Sequence, residues 1–172
     1  ELTPTLRVHT VGRDRCDDSK RSLASGQMEK NAQTSGSVCD AILTLCPGDK
    51  TFPILQRLAG AGIMVTEEEA LRAMVLAFER LRVVIEPGGA VSLAAALFHG
   101  DELKHDDVIV VATGGNVDAA LLNKALAPYG TTSGQTSPSA VSTRRTCSKR
   151  NRNITNSRPT PPQNYQATTL VH

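Results

Sequence analysis

The sequence predicts an α/β fold, and three stretches predict it. Val108 to Ala112 is an unbroken apolar run of the kind expected for a parallel strand covered on both faces. Thr66 followed by Glu67, Glu68 and Glu69 reads as a capping box, and downstream Leu71, Met74, Val75, Phe78 and Leu81 recur at helical spacing. Finally, Ile85-Glu86-Pro87-Gly88-Gly89-Ala90 runs into a helix, and Thr113-Gly114-Gly115-Asn116-Val117-Asp118 closes the apolar strand before another helix begins. A strand that ends in a hydroxyl, two glycines and an amide is how an α/β protein brings backbone and one small polar group against a flat ligand.

The elements follow in order. Leu6 to Val11 alternates and is rich enough in β-branched residues for a short strand. Asp17-Asp18-Ser19 is a helix N-cap ahead of Lys20 to Ala24, and Gly26 stops that helix. Asn31 to Gly36 is polar and turn-forming; Ser37 to Leu43 is a short apolar segment, strand or buried turn, that period alone does not resolve. Pro47-Gly48-Asp49-Lys50 is a turn, Phe52 to Leu58 a short helix ending at Ala59 to Gly62, and Ile63-Met64-Val65 an edge strand. From Gly88 to Phe98 almost every residue is small or apolar, so this helix is packed on most sides. Lys104 to Asp107 is an exposed loop, Val117 to Ala127 a helix with Asp118 in its positive first turn, and Pro128 and Gly130 end the folded part. A sheet made of these strands alone is expected to leave an edge and apolar surface exposed.

The formal charge of +2 hides a division: all 17 acidic residues precede Gly130, against 13 of the 19 Lys and Arg, so the first part carries 13 − 17 = −4 and the remainder +6. Residues 1–130 read as one partial α/β domain, and Thr131 to His172, dominated by Ser, Thr, Asn, Gln, Pro and Arg, as a disordered basic tail. The cluster from Arg144-Arg145 to Lys149-Arg150-Asn151-Arg152 is the place for a nucleic-acid contact, but only Tyr165 could stack on a base, so a solvated tail is the preferred reading. Cys16, Cys39, Cys46 and Cys147 have neither zinc spacing nor the density of a secreted framework and read as reduced thiols of a cytoplasmic protein. No stretch reaches the ~18 apolar residues of a membrane span, and Glu1, with no Met or signal pattern, reads as a cut edge.

The pair of runs Glu86-Pro87-Gly88-Gly89-Ala90 and Thr113-Gly114-Gly115-Asn116-Val117-Asp118 resembles the C-terminal end of a pyridoxal-phosphate (PLP) enzyme of the tryptophan-synthase-β type, fold type II, in its serine/threonine dehydratase branch. The resemblance covers about Val8 to Ala127, the later part of the large domain, in which parallel strands are flanked by helices. It implies that Thr113 faces the pyridine nitrogen of pyridoxal 5'-phosphate, where a neutral hydroxyl favours loss of a β-hydroxyl over transamination. It implies that Gly114 and Gly115 let the backbone pass the ring edge, that Asn116 fixes the turn, and that Glu86 lies in the cofactor's hydrogen-bond network. Glu86 could equally cap the helix at Gly88, and Thr-Gly-Gly-Asn could be no more than a strand-to-helix turn. Gly48 corresponds to a glycine that passes the cofactor in related racemases and dehydratases, or is an ordinary turn glycine.

Val11 to Asp18 resembles the family segment V-E-P-x-x-x-D-D, which in some members binds a divalent cation. Here Gly12 and Arg13 replace the acid and the proline, leaving the Cys16 carbonyl and Asp18 as a weak metal site; Asp17 and Asp18 as helix caps is the favoured reading. The S-F-K-like Schiff-base lysine and the S-G-G-G-type phosphate loop of the family are absent from the sequence. None of Lys20, Lys30, Lys50, Lys104 and Lys124 has the right context, so the chain carries no catalytic residue of its own. The reading is therefore a fragment of an L-serine/L-threonine ammonia-lyase, homo-oligomeric in its full-length parent and acting there on a small amino acid, with the fragment expected to be inactive. The alternatives are a serine racemase fragment and a non-catalytic remnant that interacts through its basic tail.

Overall fold

The computed structural model describes residues 7–32, 35–103 and 107–130, and the backbone of Ala167–Val171. The chain divides into two units, Glu1–Gly130 with Gln166–His172, and Thr131–Tyr165; every described residue belongs to the first. The basic cluster at 144–152, Cys147 and Lys104 lie outside the described residues.

Strand β1 spans Arg7–Arg13, and its middle residues His9, Thr10 and Val11 are buried. Helix α1 spans Asp18–Ser25 and stops at Gly26, in the left-handed conformation with φ 75°. Asp17 stands at the N-cap position without a capping bond; its carboxylate instead accepts from Arg21 Nε one turn on, at 2.9 Å. The ambiguous segment 37–43 folds as a turn, not a strand: a 3-10 turn at Asp40–Ile42 with Asp40 and Ala41 exposed, in which only Cys39 is wholly enclosed. Helix α2 (Phe52–Leu58) has Pro53 in its first turn, where the missing N–H costs no helical bond.

Strand β2 (Ile63–Val65) leads into α3 (Glu67–Leu76), opened by the expected capping box: Glu69 N–H donates to Thr66 Oγ1 at 3.1 Å and Thr66 N–H to Glu69 Oε2 at 2.8 Å. The helical periodicity that runs on to Leu81 is carried beyond α3 by a wider π turn, Ala77–Leu81, closed by Arg82 at φ 58°. Helix α4 (Pro87–Phe98) is buried along most of its first two turns, as its composition requires. A short helix α5 (Gly100–Leu103), strand β3 (Asp107–Val110) and helix α6 (Ala119–Tyr129) follow. Pro128 lies within the last turn of α6 and does not end it, because the helix runs on to Tyr129.

The sheet is parallel throughout, in the order β2-β1-β4-β3, where β4 is Ala167–Val171. The expectation of a disordered tail is therefore amended for these five residues: Thr168 and Thr169 sit opposite Arg7 and Val8 of β1 and opposite Val108 and Ile109 of β3. Their composition, two Thr with Leu170 and Val171, suits a strand, and β1 and β3 otherwise present unpaired N–H and C=O groups to each other.

The burial pattern of β3 also corrects the expectation that it is covered on both faces. Val108 and Val110 pack toward the core under α4, while Ile109 points the other way and is 52% exposed. The core lies between the sheet and the pair α3/α4, built from Ile63, Val65, Ala73, Met74, Val75, Val91 and Ala94, with Arg72 stacked over Phe98 at 4.7 Å to join the two helices.

Candidate functional site

Two loops meet at the end of β3. One, Arg82 to Glu86, enters α4; the other, Val111 to Asp118, leaves the strand and enters α6, where Asp118 caps the helix by accepting from Leu121 N–H at 2.6 Å. The two are interlocked. Glu86 N–H donates to the Gly114 carbonyl at 3.1 Å, Asn116 N–H donates to Glu86 Oε2 at 3.3 Å, and Ser92 Oγ, one turn into α4, donates to the Val111 carbonyl at 2.7 Å.

Two glycines make the approach possible. A Cβ on Gly89 would overlap the Thr113 carbonyl oxygen and stand 2.6 Å from its carbonyl carbon. Gly114 has φ 71°, and a Cβ there would overlap the Glu86 carboxylate. Sequence-predicted Glu86, Thr113, Gly114 and Asn116 are thus brought together, with Gly115 between them against the Val84 carbonyl. Glu86 does not cap α4: its side chain makes no capping bond and turns to the 114–116 backbone. Thr113 is half-buried, whereas Gly114, Gly115 and Asn116 are exposed, so the turn offers a shelf of small groups at the mouth of the strand.

The sequence pattern does not single out Ser92. Its one signal is a hydroxyl on an otherwise apolar helix, which must find an acceptor when buried; it is fully enclosed here.

Gly48 belongs to a different element, the turn into α2, where its carbonyl accepts from Thr51 N–H at 3.0 Å and Phe52 N–H at 2.9 Å. At the weak cation site read from Cys16 and Asp18, the two residues line one cavity but the carboxylate is already engaged. Asp18 is buried with Oδ1 accepting from Asn31 Nδ2 at 2.8 Å and Oδ2 from Thr44 Oγ1 at 3.3 Å, and among the described residues no group of three His, Cys, Asp or Glu could hold a metal ion.

The shelf has room for one edge of a flat ring, because the backbone of Gly114 and Gly115 is exposed beside the half-buried Thr113, although the Cβ side of Gly114 is itself filled by the Glu86 carboxylate. The remaining needs of a pyridoxal cofactor are not met by the described residues: Lys20 is half-buried, and Lys30, Lys50 and Lys124 are exposed on polar surfaces away from any enclosed amine site.

A parallel sheet with helices packed on it, ending in an interlocked glycine turn, is the architecture of α/β domains, in which ligands generally bind beyond the carboxyl ends of the strands. A sequence profile of the family described as "Pyridoxal-phosphate dependent enzyme" matches residues 1–114, and the chain belongs to that family. It is 37% identical over 128 residues to the serine racemase of Dictyostelium discoideum, covering 73% of this chain and 39% of that protein. It is 30% identical over 123 residues to the L-threonine ammonia-lyase of Thermotoga maritima, covering 72% of this chain and 30% of that protein. Among solved structures, the Dictyostelium discoideum serine racemase superposes with TM-score 0.61 at 38% identity, over 68% of this chain and 37% of that one. A threonine deaminase from the organism abbreviated T.th. superposes with TM-score 0.60 at 30% identity, over 67% and 51% respectively. The chain thus spans about two fifths of the length of the curated relatives, 39% in the first case. The fold is that of the type II PLP enzymes. Among the described residues no helix is long and apolar enough to cross a membrane.

Proposed function

We propose that the chain is the cofactor-facing C-terminal part of the large domain of a PLP-dependent serine/threonine ammonia-lyase, in which Thr113 stands opposite the ring nitrogen and Gly114 to Asn116 line the ring edge. The observation that supports this best is the interlock of Glu86 and Gly89 with the 113–116 turn, since a plain strand-to-helix connection has no need of a second loop locked onto it. When bound, the cofactor supplies the electron sink for loss of an α-proton and a β-hydroxyl, leading to a 2-oxo acid and ammonia. The chain's own share is to hold the turn: Glu86 and Ser92 fix its backbone, and a neutral residue at 113 leaves the ring nitrogen without an acidic partner. With no Schiff-base lysine and no phosphate loop in its sequence, the chain by itself does not turn over substrate. In the full-length parent we infer a homo-oligomer acting in the cytoplasm.

A second reading, serine racemization, is favoured by the 37% identity to the Dictyostelium discoideum enzyme. The test is to titrate the 172-residue chain with PLP. A weak, saturable change in the cofactor's visible absorbance is expected, shifted in Thr113→Asp and lost in Gly114→Val, with no 2-oxo acid formed from L-serine or L-threonine. Equal PLP response in Gly114→Val, or turnover by the chain alone, would sink the proposal; chiral analysis of serine separates lyase from racemase once the missing residues are supplied by the full-length protein.

A further inference from the structure

The segment at which some relatives bind a cation is held here by a different device. Asn31 is 4% exposed and both ends of its side-chain amide are engaged: Oδ1 accepts from Arg21 Nη2 at 3.0 Å, while Nδ2 donates to Asp18 Oδ1 at 2.8 Å and to the Thr44 carbonyl at 2.9 Å. Its backbone N–H donates to the Leu45 carbonyl at 2.8 Å. The orientation of the amide is dictated by its partners, because a guanidinium only donates and carboxylates and carbonyls only accept. Turning the amide to offer oxygen beside Asp18 would set like against like at all three contacts. Arg21 itself is anchored by Asp17 at 2.9 Å and by the Lys30 carbonyl at 3.0 Å. Its pKa is raised, first by the bond to Asp17, against desolvation, and then by the charges of Asp17, Glu29 and Asp18, so its positive field reaches the buried carboxylate.

A hard cation would find little here. Calcium takes about six to eight oxygen ligands and magnesium about six, waters included, and either is held through at least one or two free carboxylates; here both oxygens of Asp18 already accept from Asn31 and Thr44. Gly12 has no side chain, a Cβ there would already stand 2.9 Å from the Cys16 carbonyl oxygen, and Arg13 is committed to Glu67 at 2.8 Å.

We propose that Arg21, Asn31 and Asp18 form a protein-internal clamp that replaces a divalent cation, tying α1 to the loop ahead of α2, and that Asn31 is the residue that makes the ion dispensable. Two measurements on the full chain test this. Titrating free Mn²⁺ with the wild-type protein should leave its six-line electron-paramagnetic spectrum undiminished, and replacing EDTA by Mg²⁺ or Ca²⁺ should move Tm by less than about 1 °C. Stoichiometric loss of the Mn²⁺ signal, or a saturating rise of several degrees with either cation, would overturn the proposal without reference to any variant. Asn31→Asp removes the two donors and sets two carboxylates together; it should melt about 5 °C or more below wild type in EDTA and recover part of that with Ca²⁺. An Asn31→Asp protein as stable as wild type in EDTA would also refute it.

Discussion

Replacing Gly89 by alanine tests the interlock directly. The added methyl would overlap the Thr113 carbonyl oxygen and lie 2.6 Å from the carbonyl carbon and 3.3 Å from the Thr113 nitrogen. These are backbone atoms at the end of a paired strand, so relief requires the whole 111–116 turn to move away from α4. That movement strains or breaks three bonds: Glu86 N–H to Gly114 (3.1 Å), Asn116 N–H to Glu86 (3.3 Å) and Ser92 Oγ to Val111 (2.7 Å). Overpacking costs about 1 to 3 kcal/mol and each lost bond about 0.5 to 1.5, while alanine's better helix propensity returns at most about 1; the net expectation is a loss of about 1.5 to 7.5 kcal/mol. Urea unfolding of the full chain, followed by circular dichroism, should show a lower midpoint at unchanged m. Gly88→Ala supplies the control, since it adds the same methyl to the same helix but meets the Ala41 and Ile42 side chains at 3.3 and 3.5 Å and the Ile42 backbone nitrogen only at an ordinary 3.9 Å. Gly115→Ala meets only the Val84 carbonyl at 3.4 Å. Both should stay within about 1 kcal/mol of wild type. If Gly89→Ala is no less stable than Gly88→Ala, the close approach of the two loops, and the site built on it, is refuted.

His99 lies between two carboxylates, its Nε2 3.1 Å from Glu69 and its Nδ1 2.9 Å from Glu102. Burial works against its charge, but the bonds to Glu102 and Glu69 outweigh it and raise the pKa above 6.5; Glu69, partly desolvated, is nonetheless lowered below 4.5 by its bonds to Thr66 and His99. A raised histidine contributes stability fully below its unfolded pKa and loses it as pH rises through the folded one. A lowered carboxylate contributes above its unfolded pKa and loses it as pH falls through the folded one. Both contributions are therefore present together from about pH 4.5 to 6.5, and His99→Gln should lower the melting temperature inside that window and flatten its fall above about pH 6.5. Cys39 is fully enclosed, with its thiol pushed up to about 11, chiefly by burial and then by the charge of Glu67. Alkylation of the native chain followed by mass spectrometry should label half-buried Cys46 well ahead of Cys39, which should react only after denaturation; comparable rates would contradict the packing around the 3-10 turn.

Local chemistry was legible residue by residue. The capping box at Thr66, the αL stop at Gly26 and the helix of small residues after Pro87 depend on neighbours within about one turn of the chain, and each stands where the pattern put it; Asp118, read as a first-turn residue of a helix from Val117, is instead the N-cap of a helix that starts at Ala119. The two glycine motifs that make the candidate site were legible for the same reason, because a position that admits no Cβ shows in the sequence itself. Their mutual geometry was not: that Glu86 would turn to the 114–116 backbone instead of capping α4 depends on contacts between residues far apart in the chain, as does the role of Ser92.

The sequence by itself determined the class of fold, the PLP-enzyme kinship and the residues of the turn, since periodicity, caps and obligatory glycines are written in adjacent positions. Only the tertiary structure decided which strand neighbours which, that Ala167–Val171 separates β1 from β3, that Ile109 faces outward, and that Asn31 and Arg21 are joined to the carboxylate of Asp18 in the segment read as a weak cation site. Strand order and buried polar pairing are settled by which distant groups can satisfy one another once the chain has closed on itself, and no local pattern encodes that choice.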